Sequence, residues 1–367
     1  MRPLPSLVLA LLLFGALAVV GRADDAGSAE TTANASSLAD RPDPFFGVIT
    51  QRTMHSDDFD WMRWGRLGSF RHPVPWVSVE RTGDGTMSWE DLDFVVEETA
   101  RRGIALLPTL YGSPSWLFRD RRRLPIKNRH STRKWKHFLR EVVDRYGRGG
   151  TFWAENPEVP YRPVRRWQIW NEPNIMYFAQ PVSAVAYSKL LRISANVIRG
   201  RDPRAKIVTA GLYARPPRDT GIASPRFLRR MYRIKKTRKA FDVVAVHPYA
   251  TTVRASVRRT QRVRRVIKAH RDGRTPMLIT ELGWGSDLES AFGLGSQEAQ
   301  AARLRDAFRA FISRRRALRL QTVYWFSWID LAPDADTCAF CRETGLFDHA
   351  GNPKETWWRL LDFTHDV

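Results

Sequence analysis

Eight short apolar runs recur along the chain at residues 45–50, 69–77, 104–112, 164–172, 206–213, 241–249, 276–284 and 320–328. Each is rich in Val, Ile, Leu and aromatic residues, so neither face of such a strand suits water; near-continuous apolar strands belong in a parallel sheet covered by helices. The segments between them supply those helices. Residues 89–103, 131–147 and 296–316 read as amphipathic helices, with Gly103 and Gly147 as stop signals and Ser296, followed by Glu298, as a start. Eight alternating units predict a (β/α)8 TIM barrel of a single catalytic domain. A doubly wound open sheet would place a glycine-rich phosphate turn after its first strand, where this chain has TQRTMHSDD.

In a parallel barrel the chemistry sits at the C-terminal strand ends, and there the polar residues of this chain gather. The second run carries Arg71 and His72, the third ends at Tyr111, and the fourth ends at Asn171-Glu172 before Pro173. Run six ends in His247-Pro248-Tyr249, run seven holds Glu281, and run eight holds Trp325 and Trp328. Alternation along run four puts Gln168 and Trp170 on the face of Glu172, which predicts a bulky, filled interior below it. Glu172 and Glu281 lie on strands four and seven, on opposite sides of the mouth. Two carboxylates so placed suit cleavage of a glycosidic bond, with one protonated to release the leaving oxygen and the other ionised to attack the anomeric carbon. A separation of roughly 5 Å implies retention of configuration and roughly 6.5 to 9.5 Å implies inversion.

WQIWNEP (167–173), VHPY (246–249) and ITELGW (279–284) resemble the strand-tip motifs of clan A glycoside hydrolases, most nearly those of families 39 and 5. The resemblance spans the whole barrel. It implies Glu172 as acid/base and Glu281 as nucleophile. It further implies that Asn171 binds the hydroxyl beside the anomeric carbon, that Arg71 and Tyr249 orient and ionise Glu281, and that His247 lines the same subsite. Trp325 or Trp328 would be the floor on which the sugar stacks. Tyr111 departs from the family 5 pattern, which has histidine at the third strand tip. The expected activity is a retaining O-glycosyl hydrolase of β-linked oligo- or polysaccharides, with a transglycosylase or a noncatalytic glycan-binding barrel as alternatives. Neither a metal nor another cofactor is expected. The sugar, and endo against exo action, stay open.

The ends and the charge complete the reading. Arg2 followed by an apolar run from Leu4 to Val20 and by Gly21-Arg22-Ala23 reads as a signal peptide, 1–23; residues 24–44 read as a flexible lead-in and 45–367 as the barrel. The expected location is therefore outside the cell or in the envelope, with no stable membrane insertion after cleavage and a monomeric state. Cys338 and Cys341, the only cysteines, then read as a local disulfide. The chain has 60 Lys and Arg against 38 Asp and Glu, a net charge of +22, or +20 once Arg2 and Arg22 leave with the leader. Val257, Val263, Val266 and Ile267 recur at helical spacing among arginines, so most of this charge reads as solvated helix faces. A carbohydrate is the expected partner, an anionic polysaccharide among the candidates; no nucleic-acid motif is present.

Overall fold

The structure is a computed structural model, and it describes residues 43–288, 292–332 and 342–365. The expected leader, nearly all of the lead-in, and Cys338 and Cys341 lie outside the described residues.

Eight βα units follow one another. The strands are β1 (Asp43–Ile49), β2 (Leu67–Pro75), β3 (Ala105–Tyr111), β4 (Arg166–Ile169), β5 in two pieces (Lys206–Val208 and Leu212–Tyr213), β6 (Val244–His247), β7 (Met277–Leu282) and β8 (Leu320–Phe326). The main helices are α1 (Ser56–Trp64), α2 (Glu90–Arg101), α3 (Arg129–Tyr146), α4 (Ala184–Arg201), α5 (Ser224–Arg233), α6 (Val253–Ala269), α7 (Gln297–Ile312) and α8 (Glu355–Thr364). All strands are parallel, and each pairs with its neighbour in sequence, β1 also pairing with β8. The ring closes across β5: Val208 bridges Val243 in parallel, Thr209 N–H donates to Val243 O at 3.0 Å, and Leu212 pairs with Val246.

Local signals act as their chemistry requires. Asn128 caps α3 by accepting from Ser131 N–H at 2.8 Å, and Ser296 caps α7 by accepting from Ala299 N–H at 3.1 Å. Gly103, at φ +73°, ends α2 in a left-handed conformation that costs glycine little. Two apolar layers result. Aromatic side chains such as Trp76, Trp135, Trp167 and Trp357 fill the shell between strands and helices, while Leu107, Val208, Ala245, Leu278 and Tyr324 plug the barrel axis. Above that plug the axis turns polar, with buried Arg71, Gln168, Thr209 and Thr280.

Of the strand boundaries that differ from those expected, three bear on the site. The fourth run was expected to stay extended through Glu172, but β4 stops at Ile169 because Trp170 turns left-handed, at φ +71°. The fifth is interrupted at 209–211, where Thr209 spends its hydroxyl oxygen on Ala245 N–H at 2.9 Å. The sixth is limited to Val244–His247.

Candidate active site

The two glutamates reach the axis by different backbone devices. After β4, Trp170 at φ +71° and Glu172 at φ +37° break the alternation of the strand. Trp170 therefore does not share the face of Glu172, as strict alternation had predicted. It turns outward, donates its indole N–H to Phe178 O at 2.8 Å and packs on Trp135 of α3. Gln168 does stay inside, fully buried. On β7 the register against β8 slips between Ile279 and Leu282, so that the two residues Thr280 and Glu281 face the single residue Tyr324. A bulge of this kind re-aims a side chain. Here it lets the consecutive residues Thr280 and Glu281 both face the axis, while Ile279 and Leu282 join the outer core.

Arg71 is the hub that fixes the site. Its side chain, 2% exposed, donates Nε–H to Gln168 Oε1 at 2.6 Å, Nη1 to Glu281 Oε1 at 2.7 Å and Nη2 to Asn171 Oδ1 at 2.9 Å. Gln168 is held in turn by Thr109 Oγ1–H at 2.8 Å and gives its amide to Thr209 O at 3.0 Å. The fork of the guanidinium thus places the Asn171 amide and one carboxylate edge of Glu281 together. The other edge of Glu281 accepts from the Tyr249 hydroxyl at 3.0 Å.

His247 stands between the carboxylates. Its Nδ1 lies 2.6 Å from Glu172 Oε1 and 3.3 Å from Glu281 Oε2, and its Nε2 lies 2.9 Å from Thr280 Oγ1. Burial, reinforced by the Arg71 charge, holds its pKa well below the ordinary histidine range, so the ring is neutral. Glu172, His247 and Glu281 each offer a donor atom within 4.8 Å of the others, a span one metal ion could bridge. The Arg71 guanidinium already neutralises Glu281 there, and a second cation beside it would be repelled.

The electrostatics of the pair are asymmetric. Burial pushes the Glu172 carboxyl well above the usual carboxylate range, and the charge of Glu281 adds to this, with Arg71 partly opposing. Burial also raises Glu281, but Arg71 and the Tyr249 hydroxyl both oppose it. The shared proton therefore resides on Glu172 and the negative charge on Glu281. Tyr249 itself is pushed far up by burial and by the two carboxylates, which keeps it a hydroxyl donor.

These groups open into a cavity of about 800 Å³. Besides Arg71, Asn171, Glu172, Tyr249 and Glu281, its wall includes Tyr111, Tyr213, Phe178, Phe292 and Phe326. Trp325 and Trp328 are not in it, contrary to the expected stacking role. Alternation along β8 turns Trp325 outward onto Trp284, with its indole N–H on Thr344 O at 3.0 Å; Trp328 is buried against Phe347 and Trp357 and donates to Asp58 Oδ1 at 2.9 Å. Phe326 is the residue of that strand facing the cavity, edge-on to Tyr249. Sequence reasoning missed Phe326, Tyr213, Phe292 and the spacer Gly211. A Cβ on Gly211 would come within 1.8 Å of His247 Nε2, so only glycine leaves room for the ring.

Neither a family model nor a curated protein matches this sequence. Solved structures do match its fold. A family 39 glycoside hydrolase from Bacteroides cellulosilyticus WH2 superposes with a TM-score of 0.67 at 18% identity, over 89% of this chain and 64% of that one. A monomeric beta-xylosidase from Caulobacter crescentus CB15 gives 0.63 at 18%, over 88% and 68%. A family 5 (GH5_18) protein from Bifidobacterium longum subsp. infantis gives 0.63 at 15%, over 88% and 78%. The chain thus spans about two thirds or less of the length of the first two relatives, and the likeness is one of fold.

Proposed function

We propose that this barrel is a retaining glycoside hydrolase acting on β-linked sugars, with Glu172 as acid/base and Glu281 as nucleophile. The observation that carries the reading is the spacing: an oxygen of Glu172 and an oxygen of Glu281 lie within 4.8 Å of one another. That nearest approach suits direct attack on the anomeric carbon and fits the roughly 5 Å carboxyl separation of a retaining pair better than the roughly 6.5 to 9.5 Å of an inverting one. In the first step Glu172 gives its proton to the glycosidic oxygen as the C–O bond breaks, and a Glu281 oxygen bonds the anomeric carbon from the opposite face. Glu172, now ionised, takes a proton from water, and that water's oxygen displaces Glu281 to leave the β-configured sugar.

Each neighbour has a task in this scheme. Arg71 and Tyr249 keep Glu281 ionised and aimed, and Asn171 meets the hydroxyl beside the reacting carbon. The neutral His247 ring holds Glu172 at 2.6 Å without draining its proton. Phe326 and Tyr213 offer apolar faces to the sugar in place of the tryptophans first expected. The structures that share the fold include a beta-xylosidase and a family 39 glycoside hydrolase, which favours the same class of bond. Among the described residues no helix is long and apolar enough to cross a membrane. We place the enzyme outside the cell, on the strength of the leader sequence.

The test is stereochemical. Proton NMR of an early time point on an activated aryl β-glycoside should show the β-anomer of the released sugar first, with mutarotation following. Initial release of the α-anomer would refute the double displacement. Glu172→Gln and Glu281→Gln should each lower kcat/KM by roughly 10²- to 10⁴-fold.

A further inference from the structure

The outer helices divide the surface charge unevenly. α1 has Asp57, Asp58 and Asp60 against Arg63, and α2 has five acids against Arg101. Across the barrel, α4 carries four cations and no acid, α5 four and none, α6 seven and none. Several of these cations have structural work: Arg199 pairs with Asp242 at 2.9 Å, and Arg264 is spent on the carbonyls of Gly273 and Thr275.

Between α3 and α4 the situation differs. A surface groove of about 590 Å³ is lined by Arg129, Arg133, Lys136 and Arg140 of α3 and by Lys189 of α4. None of the four α3 cations meets an acidic partner among the described residues. Their spacing of four, three and four residues puts them in single file, about 5 Å apart along the axis and about 16 Å end to end. α3 starts at the C-terminal face of the barrel, so the file begins on the side of the active-site mouth. The loop before it adds Arg119, Arg121 and Arg123, with Arg122 engaged by Asp120 at 2.8 Å, and Arg121 lies near enough to the cavity residue Tyr111 to act on its hydroxyl.

We infer that this groove is a docking track for a linear carboxylate-bearing polysaccharide, held beside the mouth rather than in the cavity. One cation per helical turn matches one strand with one charge per sugar, whereas a duplex offers two rails of closely spaced phosphates. Guanidinium forks suit carboxylates bidentately. Among the described residues the exposed large apolar side chains are Trp64, Tyr161, Tyr177, Val185, Leu288, Ile312 and Trp358. None is an aromatic on α3 to α6, so the file of cations along α3 has no aromatic platform of its own on which a single-stranded base could stack. The cavity adds a contrast: among the described residues Arg71 is the one cation in its wall, and Glu281 already engages it.

The inference concerns binding and stands apart from the catalytic reading. It is tested by titrating the intact chain with polygalacturonate oligomers, their methyl esters, duplex DNA and phosphatidylglycerol vesicles at several salt concentrations. The expected result is salt-sensitive binding to polygalacturonate and none to the methyl esters. Arg133→Glu, Lys136→Glu and Arg140→Glu combined should weaken it by about tenfold or more, with the thermal transition and aryl-glycoside turnover unchanged. Arg133→Gln and Arg140→Gln singly serve if the triple variant does not fold. DNA or vesicles bound as tightly at equal ionic strength, or an affinity unmoved by the groove variants, would overturn the inference.

Discussion

At the residue scale the site depends on what is small as much as on what is charged. Gly211 gives up its side chain so that the His247 ring can sit between Glu172 and Thr280. Gly211→Ala should displace the imidazole and, with it, the carboxyl it holds, lowering kcat by about 10²-fold with little change in KM; steady-state kinetics decide this. Tyr249→Phe removes one of the two groups that oppose burial at Glu281. The nucleophile must be ionised, so activity falls as pH drops through its pKa, and a raised pKa moves that acid limb of kcat/KM to higher pH. The alkaline limb follows Glu172, which must be protonated and whose pKa is raised, so activity should persist above the ordinary carboxylate range. A profile of kcat/KM against pH for both proteins reads these limbs separately. Arg71, Glu172, Tyr249 and Glu281 were legible in the sequence, because a polar residue ending an apolar run has few places to go. Gly211 was not, since a glycine in a run looks like any other until the ring opposite it is known. Nor was Phe326, because Phe326, Trp325 and Trp328 share the last run and only the side-chain direction separates them.

At the scale of elements, the eight apolar runs foretold eight strands and Ser296 marks a real helix start, while the helix expected over 131–147 begins two residues earlier, at Arg129, behind the cap Asn128. What the runs could not carry is where a strand departs from regularity. The bulge in β7, the left-handed turn after β4 and the break in β5 each depend on partners far away in sequence, and each lies at the site. A further tie joins elements beyond the strands. Lys354, the residue before α8, is 2% exposed and donates to Asp330 Oδ2 and Ser286 Oγ, both at 2.9 Å. It links the segments after β7 and β8, which flank the mouth. Burial pushes Asp330 up to about 6 despite the lysine. Lys354→Met should cost about 3 kcal/mol, because a buried carboxylate is left unpaired. That cost should be greater at pH 8 than at pH 5, since protonation relieves the stranded charge; urea denaturation at the two pH values measures it.

At the scale of the molecule, composition gave the size of the positive charge but not its address. The arginines of α6 other than buried Arg264 do lie away from the core, as Val257, Val263, Val266 and Ile267 indicated by turning inward. That α4, α5 and α6 carry cations with no acid, while acids outnumber cations on α1 and α2, emerges only when helices distant in sequence are wrapped around the same axis. The barrel also explains why two glutamates 109 positions apart, one at 172 and one at 281, meet at one site. Strands four and seven face each other across the mouth, and Arg71 on strand two spans the gap between Asn171 and Glu281. The central claim is that Glu281 bonds the sugar. It is tested most directly by incubating the protein with dinitrophenyl 2-deoxy-2-fluoro-β-glycosides of the gluco, xylo, manno and galacto series, then mapping peptides by mass spectrometry. A single glycosyl adduct on Glu281, absent from Glu281→Gln, is the expected result. An adduct on another residue, or an enzyme that turns over β-glycosides yet never forms one, would contradict it.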